Sequence, residues 1–378
     1  MAKNSNLSQA KAAKNDEFYT QYADIQKEVN AYIEYNPDVF RGKTILLPCD
    51  DPEWSNFTKF FAQNFEFFGL KKLISTSYAI ESKNYKTDWQ PTLFETENPL
   101  YNADKSRVKG KIFMLDHDTN ANGRIDINDL QWQYLEGDGD FRSVEVTALR
   151  DEADIIITNP PFSLFREFLA WIMAGEKQFA IIGNQNAITY KDVFPLIKEN
   201  KIWLGKGFTG GAGHFISLYE DYATAGEHKE GMIRVSGVVW FTNIEHGRRH
   251  QPLKLMTMAD NLKFNKKMKG QTDYYRYDNY DAIEVPYTEL IPSNYEGIMG
   301  VPISFIDKYC PEQFEIVGMC ENEDLYHLKT KIYTTAECKQ AYMNKFGKAG
   351  TYDLNASGVL TKNGIQEKVY QRILIRKK

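Results

Sequence analysis

Residues 154–162 read DIIITNPPF, an apolar run that ends in two consecutive prolines and an aromatic residue. The apolar run predicts a buried strand. Proline has no backbone N–H and fixes its own φ angle, so Pro160 and Pro161 end strand pairing abruptly and stiffen the turn. The fold must therefore place a rigid turn directly at the end of a buried strand.

Predicted strands and helices alternate on both sides of this turn. The strands are KTILLPCDDP, LKKLISTSY, KIFMLD, DEADIIIT and KQFAIIGN, and the helices include WSNFTKFFAQNFEFFG and SLFREFLAWIMAGE. This alternation predicts an α/β fold with a parallel, doubly wound sheet. Ligands of such sheets bind at the carboxyl ends of the strands, so CDDP and TNPPF should face one crevice.

The 378 residues are enough for two separate cores. Residues 1–15 are polar and predict a flexible arm. After about residue 200 the pattern changes to glycine-rich loops and aromatic stretches, beginning with GKGFTGGAGHF. We therefore expect an α/β domain over residues 16–245 and an α+β region over 246–378.

Composition limits the class of protein. The chain has no apolar stretch of the roughly 20 residues that a spanning helix needs, and its N-terminus lacks the apolar core of a signal peptide. Four cysteines without zinc spacing indicate reduced thiols. We expect a soluble cytoplasmic protein that does not bind membranes. The net charge of -5 does not favour nucleic-acid binding, which would have to come from local basic patches.

The NPPF turn has the chemistry to hold an amino group. Asn159 offers a side-chain acceptor, and the carbonyl of Pro160 offers a second acceptor that Pro161 holds stiffly. Two acceptors at a fixed separation match the two hydrogens of an exocyclic NH2 group. Phe162 adds a flat face for stacking. The predicted target is therefore an amino group on an aromatic ring, with Asn159, Pro160, Pro161 and Phe162 as catalytic residues.

This stretch resembles the [DNS]-P-P-[FYW] motif of amino methyltransferases that use S-adenosylmethionine, in the γ-like motif order. The closer resemblance is to the EcoRI-type DNA adenine-N6 methyltransferase family. It extends from about residue 16 to about residue 320. The similar segments are DEFYTQY, CDDPEWSNF, GDGDFRS, TNPPFSLFREF, VVWFTN with HGRRH, and GVPISFIDKY with PEQFEI.

The resemblance implies a Rossmann-like class I methyltransferase domain over 16–245 and a DNA target-recognition region over 246–378. The implied reaction transfers a methyl group from S-adenosylmethionine to N6 of a flipped-out adenine in double-stranded DNA, within a restriction-modification system or as an orphan enzyme. A cognate restriction endonuclease would be a functional partner. The implied cofactor contacts are Phe18, Tyr19, Thr20, Cys49, Asp50, Asp51, Pro52, Asp138, Asp140 and Phe141.

Local basic patches are the candidates for holding DNA. HGRRHQPLKL and KFNKKMKG both carry side chains that can contact phosphates, and arginine can also read guanine. The glycine-rich GKGFTGGAGHF could approach DNA closely or move as a gate. The predicted DNA-binding residues are Arg248, Arg249, His250, Lys266 and Lys267.

Two departures from the usual methyltransferase pattern leave questions open. The glycine motif after the first strand is absent, and CDDP stands in its place. LISTSY lacks the carboxylate that commonly follows the second strand, which leaves open which acid holds the cofactor ribose.

The alternatives to DNA adenine methylation are methylation of cytosine N4, RNA or a protein amide, or a silent DNA-binding or calcium-binding protein with this fold. Without G-x-G-x-x-G after the first strand, a nicotinamide enzyme is disfavoured.

Residues 118–129, DTNANGRIDIND, resemble a calcium-binding loop. Its oxygen ligands would come from Asp118, Asn120, Asn122, the carbonyl of Arg124 and Asp129. The preceding KIFMLDH predicts a strand and not the entering helix of an EF-hand, so a polar surface insertion is the competing interpretation. We assign no metal to the site, and calcium bound in this loop would be structural, because methyl transfer needs no metal.

Overall fold

The computed structural model describes residues 19–50, 55–79, 99–208, 212–216 and 232–378. The chain forms two compact units. The first unit contains Met1–Val193 and Ile202–Gly247, and the second contains Phe194–Lys201 and Arg248–Lys378. The second unit thus includes a short segment that the sequence pattern assigns to the first domain.

The described strands of the first unit form an eight-stranded sheet and a three-stranded sheet. In chain order the strands are β1 (Tyr19–Thr20), β2 (Thr44–Leu47), β3 (Lys72–Ser77), β4 (Lys111–Leu115), β5 (Gln131–Tyr134), β6 (Ile155–Thr158), β7 (Gln178–Asn184), β8 (Trp203–Leu204), β9 (Ala212–Ile216), β10 (Ile233–Ser236) and β11 (Val238–Thr242). The large sheet has the spatial order β5-β4-β3-β2-β6-β7-β11-β8, and the small sheet the order β1-β9-β10.

The described helices of the first unit follow local sequence signals. They are α1 (Tyr22–Tyr35), α2 (Asn56–Gln63), α3 (Phe65–Phe68), α4 (Ala103–Val108), α5 (Val144–Glu152) and α6 (Phe165–Ala174). The Ser55 hydroxyl accepts a hydrogen bond from the backbone N–H of Phe57 and so caps α2. Gly69 ends α3 with a left-handed φ of 62°. Across the described part of the chain, no helix is long and apolar enough to cross a membrane.

The α/β class is confirmed, and the expected parallel pairing holds only for the central strands of the large sheet. Strands β3, β2, β6 and β7 are parallel, whereas β4, β5, β11 and β8 run antiparallel to their neighbours. The central strands β2 and β6 are buried at every residue, as parallel strands covered on both faces are. In β5, exposed Gln131 and Gln133 flank buried Trp132, the alternation of an antiparallel strand with one solvated face.

Apolar side chains cover both faces of the central strands. On one face Ile45 and Ile157 pack in a core cluster with Ile25 of α1 and Phe57 of α2. On the other face the Phe165 ring of α6 lies 4.9 Å from the Phe241 ring of β11, measured between centroids. The sheet is therefore sandwiched between helices, and its strand ends are the places where polar side chains can gather.

The second unit has its own sheet. Its strands are β12 (Ala282–Glu284), β13 (Ile298–Pro302), β14 (Phe314–Met319), β15 (Val359–Lys362), β16 (Ile365–Lys368) and β17 (Arg372–Lys377), and its helices are α7 (Phe194–Lys198), α8 (Met258–Phe264) and α9 (Thr335–Phe346). Four strands pair in the order β12-β13-β17-β14, and β15 and β16 form a hairpin.

A buried ion pair ties together the two strands on either side of β13. Arg372 of β17 donates from Nη2 to Oε1 of Glu284 in β12 at 2.7 Å, and only 11% and 6% of these side chains is exposed. The Tyr277 hydroxyl donates to the same carboxylate. Gly300 lies on β13, between these two strands, and an added Cβ there would come within 2.2 Å of the Tyr277 hydroxyl oxygen. The glycine therefore leaves the space that this polar cluster occupies.

Replacing Arg372 by Met should destabilise the protein by about 3–5 kcal/mol, because Glu284 would keep a buried charge without its partner. Arg376→Met is a matched control on the same strand, since Arg376 lies 3.7 Å from Glu315 with both side chains about half exposed. The control should cost less than about 1 kcal/mol. Urea unfolding of both variants measures the difference, and equal losses would contradict this account of the buried pair.

Candidate active site

The predicted catalytic turn directly follows β6. Asn159 is half-buried, Pro160 and Pro161 are buried, and Phe162 is half-buried with its ring against the core. The backbone N–H of Leu164 donates to the carbonyl of Pro161 at 2.9 Å, which starts a short 3-10 turn leading into α6. The turn is thus held between a buried strand and a buried helix.

The carboxylate of Asp50 connects this turn to the end of β2. Asp50 is 6% exposed, and its Oδ2 accepts a 2.6 Å hydrogen bond from the hydroxyl of Thr158, the residue before Asn159. Its Oδ1 accepts a 2.7 Å hydrogen bond from the Ser55 hydroxyl at the start of α2. Both carboxylate oxygens are therefore bonded inside the protein, and they fix the turn relative to a neighbouring strand and helix.

The residues around Asp50 also join β2 to β3. The backbone N–H of Asp50 donates to the carbonyl of Thr76 at 2.8 Å, and the Ser75 hydroxyl donates to the carbonyl of Asp50. Cys49 has a φ of 67°, a left-handed conformation that is rare for residues with a side chain. Such a conformation persists only where its surroundings impose it, so this network determines the backbone where β2 ends.

The GDGD segment lies against the end of β3. Gly139 has a φ of 86°, and an added Cβ would come within 2.4 Å of the carbonyl oxygen of Ser77. The backbone N–H of Ala79 donates to the carbonyl of Asp138 at 2.8 Å. This close approach is possible only for glycine, and it brings Asp138 and Asp140 to the strand end that has no carboxylate of its own.

At this strand end the pKa of Asp140 is lowered and the pKa of Tyr78 is raised. Burial acts to raise the pKa of Asp140, but hydrogen bonds from Arg142, at 2.6 Å from Nη2 to Oδ2, outweigh it and lower the pKa. Burial, together with the charges of Cys49 and Asp140, raises the pKa of Tyr78 far above its ordinary value. An anionic carboxylate and a neutral phenol therefore lie side by side.

Phe141 is a core residue in this structure. Its side chain is fully buried, and its ring centroid lies 4.9 Å from that of Phe168 and 5.6 Å from that of Trp171. Both partners belong to α6, the helix that follows the turn predicted to be catalytic. The ring therefore anchors the GDGD segment to α6.

Thr20, near the N-terminal end of the described residues, contacts the start of α2. Thr20 accepts at its carbonyl a 2.7 Å hydrogen bond from the side chain of Asn56. The Thr20 hydroxyl and the Gln21 amide nitrogen are buried, and within the described residues neither has a hydrogen-bond partner. Buried polar atoms of this kind fit a polar ligand, because burial without a partner is costly. The predicted contacts Phe18, Asp51 and Pro52 lie outside the described residues.

A sequence profile described as "Adenine-specific methyltransferase EcoRI" matches residues 6–378 of the chain. The chain belongs to this family of adenine-specific DNA methyltransferases. The predicted family and enzyme class are thereby confirmed.

Three relatives of this EcoRI-family enzyme carry the name Type II methyltransferase. M.EcoRI of Escherichia coli is 40% identical over 328 residues, which cover 85% of this chain and 91% of the relative. M.MpnI of Mycoplasma pneumoniae is 33% identical, with 86% and 90% covered. M.MgeORF184P of Mycoplasma genitalium is 32% identical, with 98% of each chain covered. No solved structure matches the chain.

Three residues that contact the candidate site residues Asp50 and Asp140 were not predicted from the sequence of this EcoRI-family enzyme. Thr158 is the one hydroxyl residue in the buried run IIIT, and a polar residue at the end of such a strand is a recognisable signal. Ser55 stands where a helix cap is expected. Tyr78 directly follows β3. The described residues of the CDDP, GDGD and NPPF segments lie at the carboxyl ends of β2, β3 and β6, which are neighbouring strands.

The predicted DNA-binding arginines of the family member lie in the second unit and are paired. Arg249 is 5% exposed, and its Nη2 donates to the side-chain oxygen of Asn200 at 2.5 Å. Arg248 forms an ion pair with Asp307. Both guanidinium groups therefore already have partners within this unit.

The other three predicted DNA contacts are more accessible. His250 lies 2.7 Å from Oε1 of Glu312. Burial acts to raise the pKa of Glu312, but hydrogen bonds, chiefly from His250, lower it to about 2. Lys267 is exposed, and its Nζ lies 2.5 Å from Oε1 of Glu289, while Lys266 is also exposed. The two lysines are therefore the members of the set that solvent reaches most freely.

The calcium-like loop folds on itself through its own polar groups. Asp129 is 1% exposed, and its carboxylate accepts backbone N–H groups of Thr119 at 2.9 Å and Asp126 at 3.0 Å. The carboxylate of Asp118 accepts the N–H of Gly123 at 2.7 Å. In the described residues no group of three or more His, Cys, Asp or Glu could hold a metal ion.

Gly139→Ala should destabilise the methyltransferase by about 2–4 kcal/mol, because the new Cβ would meet the Ser77 carbonyl in a left-handed backbone conformation. Gly123→Ala is the matched control: Gly123 is also left-handed, with a φ of 81°, but apart from its chain neighbours no atom of the described residues lies within 4 Å of its added Cβ. The control should cost about 1 kcal/mol. Thermal or urea unfolding checks both, and a Gly139→Ala loss no larger than the control would refute the close packing.

Proposed function

We propose that this enzyme transfers a methyl group from S-adenosylmethionine to N6 of an adenine flipped out of duplex DNA. The observation that supports the proposal most directly is the rigid Asn159–Phe162 turn, joined through Thr158 and Asp50 to the neighbouring strand ends. The family match supplies the adenine specificity. Within the proposal the first unit is a Rossmann-like class I methyltransferase domain, and 246–378 is the target-recognition region.

In this proposal the turn acts on the adenine amino group. The Asn159 side-chain oxygen and the Pro160 carbonyl each accept one hydrogen of the NH2 group. The nitrogen lone pair of adenine is delocalised into the ring, and acceptors on both hydrogens favour a pyramidal nitrogen whose lone pair is available for attack. Catalysis then consists of positioning and electrostatics, and no strong general base is needed.

Phe162 completes the base pocket. Its half-buried ring leaves one part packed in the core and another part accessible for stacking on the flipped adenine. Stacking of this kind contributes about 1–3 kcal/mol, which offsets part of the cost of taking the base out of the duplex.

The cofactor is assigned to the first unit by its donor set. The bound cofactor supplies an electrophilic methyl group on a sulfonium. The Thr20 hydroxyl and the Gln21 amide are buried polar atoms suited to its polar groups. Tyr19 lies next to Thr20, and Cys49 and Asp50 follow β2; these three residues are also proposed cofactor contacts. Phe18, Asp51 and Pro52 are proposed from the family resemblance alone.

The missing carboxylate after β3 is supplied, in this proposal, by the GDGD segment. Asp140 is anionic and lies beside Tyr78, and Asp138 is held there through the backbone of Ala79. A carboxylate in this place can accept hydrogen bonds from the ribose hydroxyls. Phe141 contributes by anchoring the segment on α6.

DNA binding is assigned to the second unit. This unit carries 22 Lys and Arg against 17 Asp and Glu, a formal charge of +5, although the whole chain is at -5. Lys266 and Lys267 are the proposed phosphate contacts. Arg248, Arg249 and His250, which are paired within the unit, hold the segment that precedes these lysines. Because the relatives are named Type II methyltransferases, we include a cognate restriction endonuclease as a functional partner.

Asn159→Ala should bind the cofactor normally but lower the rate of DNA methylation at least about 1000-fold, because one of the two acceptors is lost. Asn159→Asp keeps an acceptor oxygen and should lose less, within about 100-fold of the wild type. Single-turnover transfer of labelled methyl groups to DNA measures both rates. Substantial turnover by Asn159→Ala would remove this residue from the reaction.

The double variant Lys266→Ala, Lys267→Ala should weaken DNA binding and make its salt dependence less steep, by about 0.9 in the log–log slope for each lost phosphate contact. Lys71→Ala, Lys72→Ala is a matched control in the first unit: it is also an adjacent pair, and Lys72 also has a glutamate partner, Glu152, at 2.8 Å. Fluorescence anisotropy across a salt series measures the slope. Identical slopes for the two double variants would exclude the proposed contact.

A further inference from the structure

A buried glutamate of α1 holds the start of the glycine-rich segment. Glu28 is fully buried, and its Oε2 accepts the backbone N–H of Lys206 at 2.7 Å and the backbone N–H of Gly207. The Tyr32 hydroxyl donates to Oε1 at 2.5 Å. One carboxylate side chain on α1 therefore satisfies two backbone donors of a segment about 180 residues further along the chain.

The segment, residues 205–208, is shaped for this contact. An added Cβ on Gly205 would come within 1.9 Å of Oε1 of Glu28, so no side chain fits there. Lys27, the neighbour of Glu28, donates from Nζ to the carbonyl of Gly207 at 2.7 Å. Successive residues of α1 thus bind both the N–H and the carbonyl of Gly207, and they fix its peptide groups in orientation.

Aromatic packing and strand pairing connect this segment to the proposed cofactor residues. The Phe208 ring stacks on that of Trp240, with centroids 6.0 Å apart and planes 16° apart, and it lies 5.9 Å from the Phe215 ring. Phe215 belongs to β9 and is the strand partner of Thr20 in β1. The contacts therefore run without interruption from Glu28 through Gly207, Phe208 and Phe215 to Thr20.

We propose that Glu28 is a positioning residue: by holding residues 205–208 on α1, it fixes β9 and thereby sets the place of Thr20 for cofactor binding. This inference rests on the proposed function, because Thr20 is assigned to the cofactor there. Without the carboxylate, the N–H groups of Lys206 and Gly207 would lose their acceptor in a buried place. The segment would then leave this position, and β1 would lose the support of a fixed β9.

Three variants test the inference through the dissociation constant for S-adenosylhomocysteine, measured by calorimetry well below the melting temperature. Glu28→Ala should weaken binding about 10-fold or more. Glu28→Gln should stay within about 3-fold, because its amide oxygen can accept both N–H groups while its NH2 donates to the Tyr32 oxygen. Glu34→Gln, which removes an exposed 3.3 Å pair with Lys206, is the matched control and should bind as the wild type does.

A purely structural role would lower the melting temperature of Glu28→Ala and leave its affinity within about 2-fold of the wild type, and that result would overturn the inference. If Glu28→Ala does not fold, backbone amide hydrogen exchange of the wild type tests the inference instead. Adding S-adenosylhomocysteine should slow exchange at Gly207 and Phe215 together with Thr20, and unchanged exchange at Gly207 and Phe215 would also overturn it. A wild type that binds no S-adenosylhomocysteine would instead refute the proposed function, and this inference with it.

Discussion

The hydrogen bonds of the Asp50 carboxylate determine the arrangement of the first unit's candidate active site. A buried carboxylate is tolerated only when its oxygens are hydrogen-bonded, since its desolvation otherwise costs several kcal/mol. Here Ser55 and Thr158 supply the two hydroxyl donors. Because one residue starts α2 and the other ends β6, satisfying a single charge fixes the relative positions of a helix, two strands and the turn predicted to be catalytic.

Rigidity of this kind suits the proposed reaction, which depends on the placement of hydrogen-bond acceptors. Two prolines remove backbone freedom within the turn, and Gly139 lets a second loop approach β3 closely enough to bring a carboxylate there. Cys49 is held in a left-handed conformation beside them. The polar groups of the candidate site are thus carried by backbone that has few alternative conformations, so the proposed binding of a flipped base would need little reorganisation.

Local features were predictable from the sequence, and long-range ones were not. The strand IIIT, the rigid turn after it and the helix that follows depend on neighbouring residues, and their signals are strong. The antiparallel direction of β4 depends on pairing with β3, which no local pattern specifies. The buried guanidinium of Arg249 is hydrogen-bonded to Asn200, 49 positions away, and no local pattern indicates this partner. The placement of Asp140 beside Tyr78 likewise needs two segments that only the folded chain brings together.

The assignment of Phe194–Lys201 to the second unit has a consequence for how the chain is made. The polypeptide passes from one unit to the other three times, so neither unit is a continuous stretch of sequence. Phe194 is fully buried, with its ring 5.5 Å from that of Tyr326, which is synthesised more than a hundred residues later. During translation Phe194 cannot be buried against Tyr326 until that residue has been made, so this apolar segment lacks its folded surroundings while the residues between them are synthesised.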